Sequence, residues 1–155
     1  MMKQHRILIV DDDENITTVF QVNLESKGYE VETAKNGAEA LEKTGHRFFN
    51  LALIDIKLPD MEGTDLIELL REVAPKMRMI VVTGFPSLQN AINAVNKGAD
   101  GYLLKPVDME QLAKTIEEKL RKQQEDEKYT EEKVEEYIEA RARELETLIK
   151  YHKPI

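Results

Sequence analysis

The sequence predicts an α/β fold: a (βα)5 unit with a doubly wound, parallel five-stranded sheet, followed by a C-terminal helical extension. Three observations predict it. Short aliphatic runs recur along the chain, each followed by apolar residues at helical spacing. The runs are apolar throughout instead of alternating, which is the pattern of strands buried on both faces. The stretches between them are long enough for the crossover helices that parallel neighbours require.

The elements follow in order. Ile7 to Val10 is the first strand and ends in Asp11, Asp12 and Asp13. Ile16, Val19, Phe20 and Leu24 form the first helical face, which Gly28 stops. Val31 to Ala34 is the second strand, with Asn36-Gly37 as a turn behind it. Ala38, Ala40 and Leu41 suggest a short helix. Leu51 to Ile54 is the third strand and ends in Asp55; Pro59, Asp60 and Gly63 mark a loop. Leu66, Ile67, Leu69 and Leu70 give the third helix, with Pro75 beyond its end. Met79 to Val82 is the fourth strand, ending in Thr83-Gly84. Ser87 caps a helix carrying Leu88, Ala91, Ile92 and Val95, closed by Gly98. Tyr102 to Leu104 is the fifth strand, ending in Lys105-Pro106. Asp108 caps a helix with Leu112, Ile116 and Leu120 on one face.

Composition narrows the function classes. The 155 residues are 41% hydrophobic, enough for a packed core, and 34% charged, above the usual quarter. There is no cysteine, which excludes a disulfide scaffold, a thiol nucleophile and a thiolate metal site, and fits a reducing cytoplasm. No apolar run reaches the roughly 18 residues of a membrane span, and Ile7–Val10 is too short for the core of a secretory leader. The net charge is −8. It is spread evenly: residues 1–107 hold 16 acids and 12 bases, and residues 108–155 hold 14 and 10. Neither part is a basic arm, so direct nucleic-acid binding is not expected.

An open parallel sheet binds ligands at the carboxyl ends of its strands. Four strands here end in polar groups: Asp11 to Asp13, Asp55, Thr83 and Lys105. Close carboxylates repel one another unless a cation joins them, and hard oxygen ligands with water suit Mg²⁺. A lysine balances further negative charge, and a threonine hydroxyl donates to an oxyanion. The set suits a divalent ion and a phosphoryl group, with a carboxylate available to accept it.

At these residues the chain resembles the receiver (CheY-like) domain of two-component response regulators. The matching pieces are Ile7-Leu8-Ile9-Val10-Asp11-Asp12, Leu53-Ile54-Asp55-Ile56-Lys57-Leu58-Pro59-Asp60-Met61-Glu62-Gly63, Val81-Val82-Thr83-Gly84 and Gly101-Tyr102-Leu103-Leu104-Lys105-Pro106. They span about residues 5 to 122, all of the (βα)5 unit. The resemblance implies a flavodoxin-like strand order of 2-1-3-4-5 and a phosphoacceptor switch, not an ordinary enzyme. It implies that Asp55 is the phosphoacceptor and that Asp12, Asp11 (mostly through water), Asp55 and the Lys57 carbonyl hold Mg²⁺. Lys105 then pairs with Asp55 and with the phosphoryl oxygens. Thr83 turns toward the phosphoryl group, Tyr102 reports that turn, and the Lys105–Pro106 peptide is cis. Gly84 leaves room at the phosphorus, and Lys57 and Phe85 lie beside the path of the hydrolytic water. The donor is a histidine kinase or a phosphotransfer protein. The face of the fourth helix, fifth strand and fifth helix carries the signal to a downstream partner or output domain.

Other readings of the same residues are weaker. Asp11, Asp13 and Asn15 start like a calcium loop, but the sixth position is Ile16 and the twelfth Val22. A dehalogenase-like phosphatase wants a second Asp where Lys57 stands. A Mg²⁺-dependent acylphosphate phosphohydrolase and a passive dimerising scaffold remain as alternatives, as does a receiver fragment of a larger sensor or effector protein. His5, His46 and His152 read as surface residues.

The receiver is expected to cover residues 1–122, with 123–155 as a charged extension or linker. Arg121 to Lys133 has no aliphatic residue and reads as a solvated helix or a hinge, with Thr130 as a plausible helix start. Val134, Ile138, Leu145 and Leu148, with Arg141 in the gap, form a narrow heptad-like seam. The extension pairs with a second copy, folds back or docks on a partner, or continues as a linker; the sequence leaves all three open.

Overall fold

The computed structural model describes residues 4–151, so the reading of His152 as a surface residue falls outside them. The elements are β1 (Arg6–Val10), α1 (Glu14–Ser26), β2 (Glu30–Ala34), α2 (Gly37–His46), β3 (Leu51–Ile54), α3 (Gly63–Val73), β4 (Arg78–Thr83), α4 (Leu88–Lys97), β5 (Gly101–Leu104) and α5 (Met109–Tyr151). The strands form one parallel sheet in the order β2-β1-β3-β4-β5.

The pleat sends alternate residues to opposite faces, so each central strand feeds two cores. Leu8, Val10, Ala52, Ile54, Met79 and Val81 pack with Ala40 of α2, Leu66, Ile67 and Leu70 of α3, and Ala94 of α4. Ile7, Ile9, Leu51, Leu53, Ile80 and Val82 pack with Phe20 and Leu24 of α1 and with Leu112, Ile116 and Leu120 of α5. This two-sided burial explains the continuous apolar runs of β1, β3 and β4. The same reading fails at the edges: β2 is only partly buried, and Leu104 of β5 is 52% exposed. Edge strands lack a neighbour on one side, and α1 and α4 do not cover them fully.

Several local expectations change. Val19 lies on the solvent side of α1, whose buried residues are Thr17, Phe20 and Leu24. Leu69 of α3 is likewise exposed. Asn36-Gly37 is not a free turn: Asn36 caps α2, its side chain accepting from the Glu39 amide, and Gly37 is the first helical residue. Ser87 caps α4 through the Asn90 amide, and Gly98 closes that helix at φ +113°. His46 is exposed, whereas His5 is half-buried.

The chain divides into two compact units, Met1–Leu120 and Arg121–Ile155. The second is helical throughout its described residues. Thr130 is therefore interior to a helix and not its start; its hydroxyl donates to the Asp126 carbonyl at 2.9 Å. Val134, Ile138, Leu145 and Leu148 are all exposed along it. Among the described residues no helix is long and apolar enough to cross a membrane.

Candidate functional site

The strand order assembles the site. β1 and β3 are neighbours with Val10 opposite Ile54, so the residues that follow them, Asp11 and Asp55, come side by side. The Asp55 amide donates to the Val10 carbonyl at 3.0 Å and the Asp11 amide to Ala34 at 3.1 Å, extending the ladder one step past the strands. Thr83 ends β4 opposite Leu104, which places Lys105 next to it; the Lys105 amide donates to the Thr83 carbonyl at 2.8 Å. The Lys105–Pro106 peptide is cis.

Asp11, Asp12 and Asp55 bring one carboxylate oxygen each to within 4.8 Å of one another. Asp11 and Asp55 are buried, while Asp12 is exposed. Asp13 turns away and caps α1, accepting from Asn15 at 2.9 Å and from Ile16. Lys105 Nζ donates to Asp11 Oδ2 at 2.7 Å and reaches Asp55 Oδ2 at only 3.4 Å. The lysine thus favours Asp11 over Asp55, the partner the resemblance implies. Asp11 Oδ1 accepts from the Asp13 amide at 2.9 Å, so both oxygens of Asp11 are engaged. Asp55 Oδ1, by contrast, is buried with no hydrogen-bond partner.

The electrostatics match this imbalance. Burial pushes the Asp55 carboxyl above its ordinary value, and the Asp11 charge adds to the shift; Lys105 and the Lys57 amide oppose it without cancelling it. Burial alone would lower Lys105, but Asp11 and then Asp55 outweigh it and hold the ammonium above its ordinary value. One lysine facing two buried carboxylates leaves a net negative pocket. An orphaned acceptor among three converging carboxylates fits a small divalent cation that prefers oxygen and water.

The remaining predicted residues have assigned places. Thr83 is fully buried, and its Oγ1 accepts from the Phe85 amide at 3.0 Å, leaving the hydroxyl proton free for an acceptor. A methyl on Gly84 would meet only the Lys105 side chain, at 3.8 Å, an ordinary contact. The Lys57 side chain is exposed and pairs with Glu62 at 3.3 Å. Phe85 is exposed. Tyr102 is half-buried against the core layer that contains Ala94, and its hydroxyl is enclosed without a partner. Beside the site, Ile16, Val19, Phe20, Pro106, Val107 and Met109 line an open apolar groove.

Sequence reading missed Asp60. It reads as a loop residue, yet its two oxygens accept from the Gly37 and Ala38 amides at 2.9 Å each. It also missed Arg71, which donates to the Gly98, Pro75 and Met77 carbonyls and pairs with Asp100. No local sequence signal points to Asp60 or to the pairing of Arg71 with Gly98 and Asp100, because these partners are more than twenty residues away.

Comparison with known proteins agrees with this geometry. Residues 7–117 match the family model for the response regulator receiver domain. A receiver domain (CheY-like) from Methanospirillum hungatei JF-1 is 49% identical at a TM-score of 0.79, over 80% of this chain and 99% of that one. The beryllofluoride-activated NtrC4 receiver domain dimer is 36% identical at a TM-score of 0.73, over 76% of this chain and 98% of that one. The transcriptional regulatory protein ZraR of Klebsiella oxytoca is 36% identical over 118 residues, 76% of this chain and 27% of the relative. The alginate biosynthesis regulatory protein AlgB of Pseudomonas putida is 38% identical over 109 residues, 70% of this chain and 24% of the relative. The chain belongs to the response regulator receiver domain family, the signalling module of two-component systems. It spans about a quarter of the length of these two curated relatives.

Proposed function

We propose that Asp55 accepts a phosphoryl group from a histidine kinase or phosphotransfer protein in the cytoplasm, and that the change is passed on through α4, β5 and α5. One observation carries the reading: Asp55 presents an unpartnered buried oxygen inside a cluster of carboxylates closed by Lys105. An ionised carboxylate is already a nucleophile and needs no base. The attacking Asp55 oxygen forms a bond to phosphorus as the P–N bond of the donor phosphohistidine breaks. The imidazole leaves with the bonding electrons and takes a proton from solvent. Asp11, Asp12, Asp55 and the Lys57 carbonyl would hold Mg²⁺, which supplies positive charge to the transferred phosphoryl oxygens when bound. Lys105 supplies a second positive charge, and the free proton of Thr83 is available to a phosphoryl oxygen. The open groove beside Lys105 offers the donor protein a contact surface.

The signal has an exposed apolar face to act through. Phe85, Leu88, Ile92 and Val95 of the β4–α4 region and Leu104 of β5 are all solvent-facing. A downstream protein or a further domain would read that face. The seam of Val134, Ile138, Leu145 and Leu148 suits a second copy of the chain, because these apolar side chains recur at near-heptad spacing and are all exposed.

Three measurements test the reading. Mg²⁺ at one hundred times its dissociation constant should stabilise the folded chain by about 2.7 kcal/mol, and Asp12→Ala should abolish most of that gain in a thermal melt. Acetyl phosphate with Mg²⁺ should add one phosphoryl group by intact mass. Light scattering on the same samples then reads the output: a doubled mass assigns it to a second copy, and an unchanged mass to a different partner. Rapid turnover without accumulation would favour the phosphohydrolase alternative.

A further inference from the structure

Asp60 stands in the loop that follows the phosphoacceptor, and its contacts reach across the molecule. Oδ1 accepts from Gly37 and Oδ2 from Ala38, at 2.9 Å each, from residues 23 and 22 positions away. These are the first two amides of α2, which that helix cannot satisfy internally. The helix's own cap, Asn36, serves only the third amide, Glu39, at 2.8 Å. A carboxylate gripping two adjacent amides fixes both the position and the rotation of the group. The positive end of the helix favours the anion there, and these bonds hold Asp60 below its ordinary carboxyl value.

The loop is closed at its base as well. Lys57 and Glu62 form an isolated bridge, and the Gly63 amide donates to the Ile56 carbonyl at 2.6 Å. Its tip rests on bare backbone: a methyl on Gly37 would lie 2.4 Å from the Met61 sulfur. The Lys57–Glu62 segment is thus held at one end beside Asp55 and at the other on α2. The ring continues through covalent chain from Gly37 back to Ala34, whose carbonyl receives the Asp11 amide at 3.1 Å. Asp60 therefore closes a circuit that links the strand end bearing Asp55 to the strand end bearing Asp11.

We propose that Asp60 is a positioning residue for the metal centre: by clipping the tip of the Lys57–Glu62 loop to the first two amides of α2, it fixes the backbone that follows Asp55. The inference rests on the reading of Asp11, Asp12 and Asp55 as a Mg²⁺ site. Mg²⁺ demands near-ideal octahedral geometry, so small displacements of a carbonyl beside the pocket weaken binding. Groups that orient ligands typically change metal affinity by about 10–100-fold when removed.

The test is a calorimetric titration of the full chain with Mg²⁺ alone, backed by thermal melts. Asp60→Ala should weaken binding about tenfold. Asp60→Asn keeps one carbonyl acceptor and should fall between it and the wild type. Asn36→Ala removes the helix's own cap without touching the loop, and should leave Mg²⁺ affinity unchanged although α2 is destabilised. Amide exchange at residues 56–61 should quicken in Asp60→Ala and not in Asn36→Ala. Wild-type affinity in Asp60→Ala, or an equal loss in Asn36→Ala, overturns the proposal and leaves the metal reading intact. A wild-type chain that takes up no Mg²⁺ overturns the metal reading, and this inference with it.

Discussion

Asp55→Asn should accept no phosphoryl group and, in metal-free buffer at neutral pH, should melt at a higher temperature than the wild type. The first effect follows from losing the nucleophilic carboxylate. The second follows from the cost of keeping that carboxylate charged. Asp55 is 7% exposed, and burial, followed by the nearby Asp11, raises its pKa. A carboxyl whose pKa is higher folded than unfolded costs stability once both states are ionised. That cost begins as pH climbs past the ordinary carboxyl value and is complete above the folded value. Asparagine carries no such cost, and Lys105 keeps its shorter bond to Asp11 at 2.7 Å. For a chain of this size each kcal/mol is worth about 2–4 °C in melting temperature. The gain should vanish below the ordinary carboxyl range, where the wild-type group is protonated. Saturating Mg²⁺ should shrink or reverse it, because the cation offsets the charge that asparagine merely deletes. Paired melts in chelator and in Mg²⁺, at neutral and acidic pH, check all three statements. A less stable variant in chelator would show that the Lys105 contact outweighs burial and repulsion.

Gly63→Ala should destabilise the chain by about 3 kcal/mol and abolish most Mg²⁺ binding. Helix propensity alone argues the other way. Gly63 opens α3 with ordinary backbone dihedrals, and alanine is worth up to about 1 kcal/mol over glycine in a helix. Contact decides the sign. A Cβ at this position would lie 2.2 Å from the Asp55 carbonyl oxygen and 2.9 Å from the Ile56 Cα. Both are backbone atoms that cannot rotate away, and both belong to the strand end that presents Asp55. Relief must move α3 or Asp55. Gly37→Ala offers a contrast: its Cβ meets only the Met61 side chain, which can swing clear. It should cost less than half as much in a denaturant melt.

Much of this fold is written locally. The β1, β3 and β4 runs are apolar because both faces are covered, and Leu51-Ala52-Leu53-Ile54, without alternation, has the pattern of such a strand. Ser87, Asp108 and Gly98 mark helix ends by chemistry that acts within a few residues. Asp11, Asp12, Asp55, Thr83 and Lys105 are legible because strand ends of a parallel sheet converge. Other features depend on three-dimensional neighbours. Val19 and Leu88 look like core residues, and only the packing of other helices leaves them exposed. Asp13 and Asp12 are adjacent in sequence, yet one caps α1 and the other joins the carboxylate cluster. Asp60 gains its role from amides more than twenty residues away, and Arg71 joins the nearby Pro75 and Met77 carbonyls to the distant Gly98 and Asp100, which no window of sequence reveals.

The Lys105–Asp11 contact joins residues 94 positions apart, and the chain between them supplies Asp55 and Thr83. During synthesis the first carboxylates leave the ribosome long before the lysine that balances them. A chain cut short before residue 105 has the acidic residues but not the cation, and one cut before residue 101 also lacks β5. On the proposed reading, a complete phosphoacceptor site therefore arrives only with nearly the whole (βα)5 unit. Chains that stop short of Lys105 are then expected to accept no phosphoryl group, which a mass measurement on truncated forms would check.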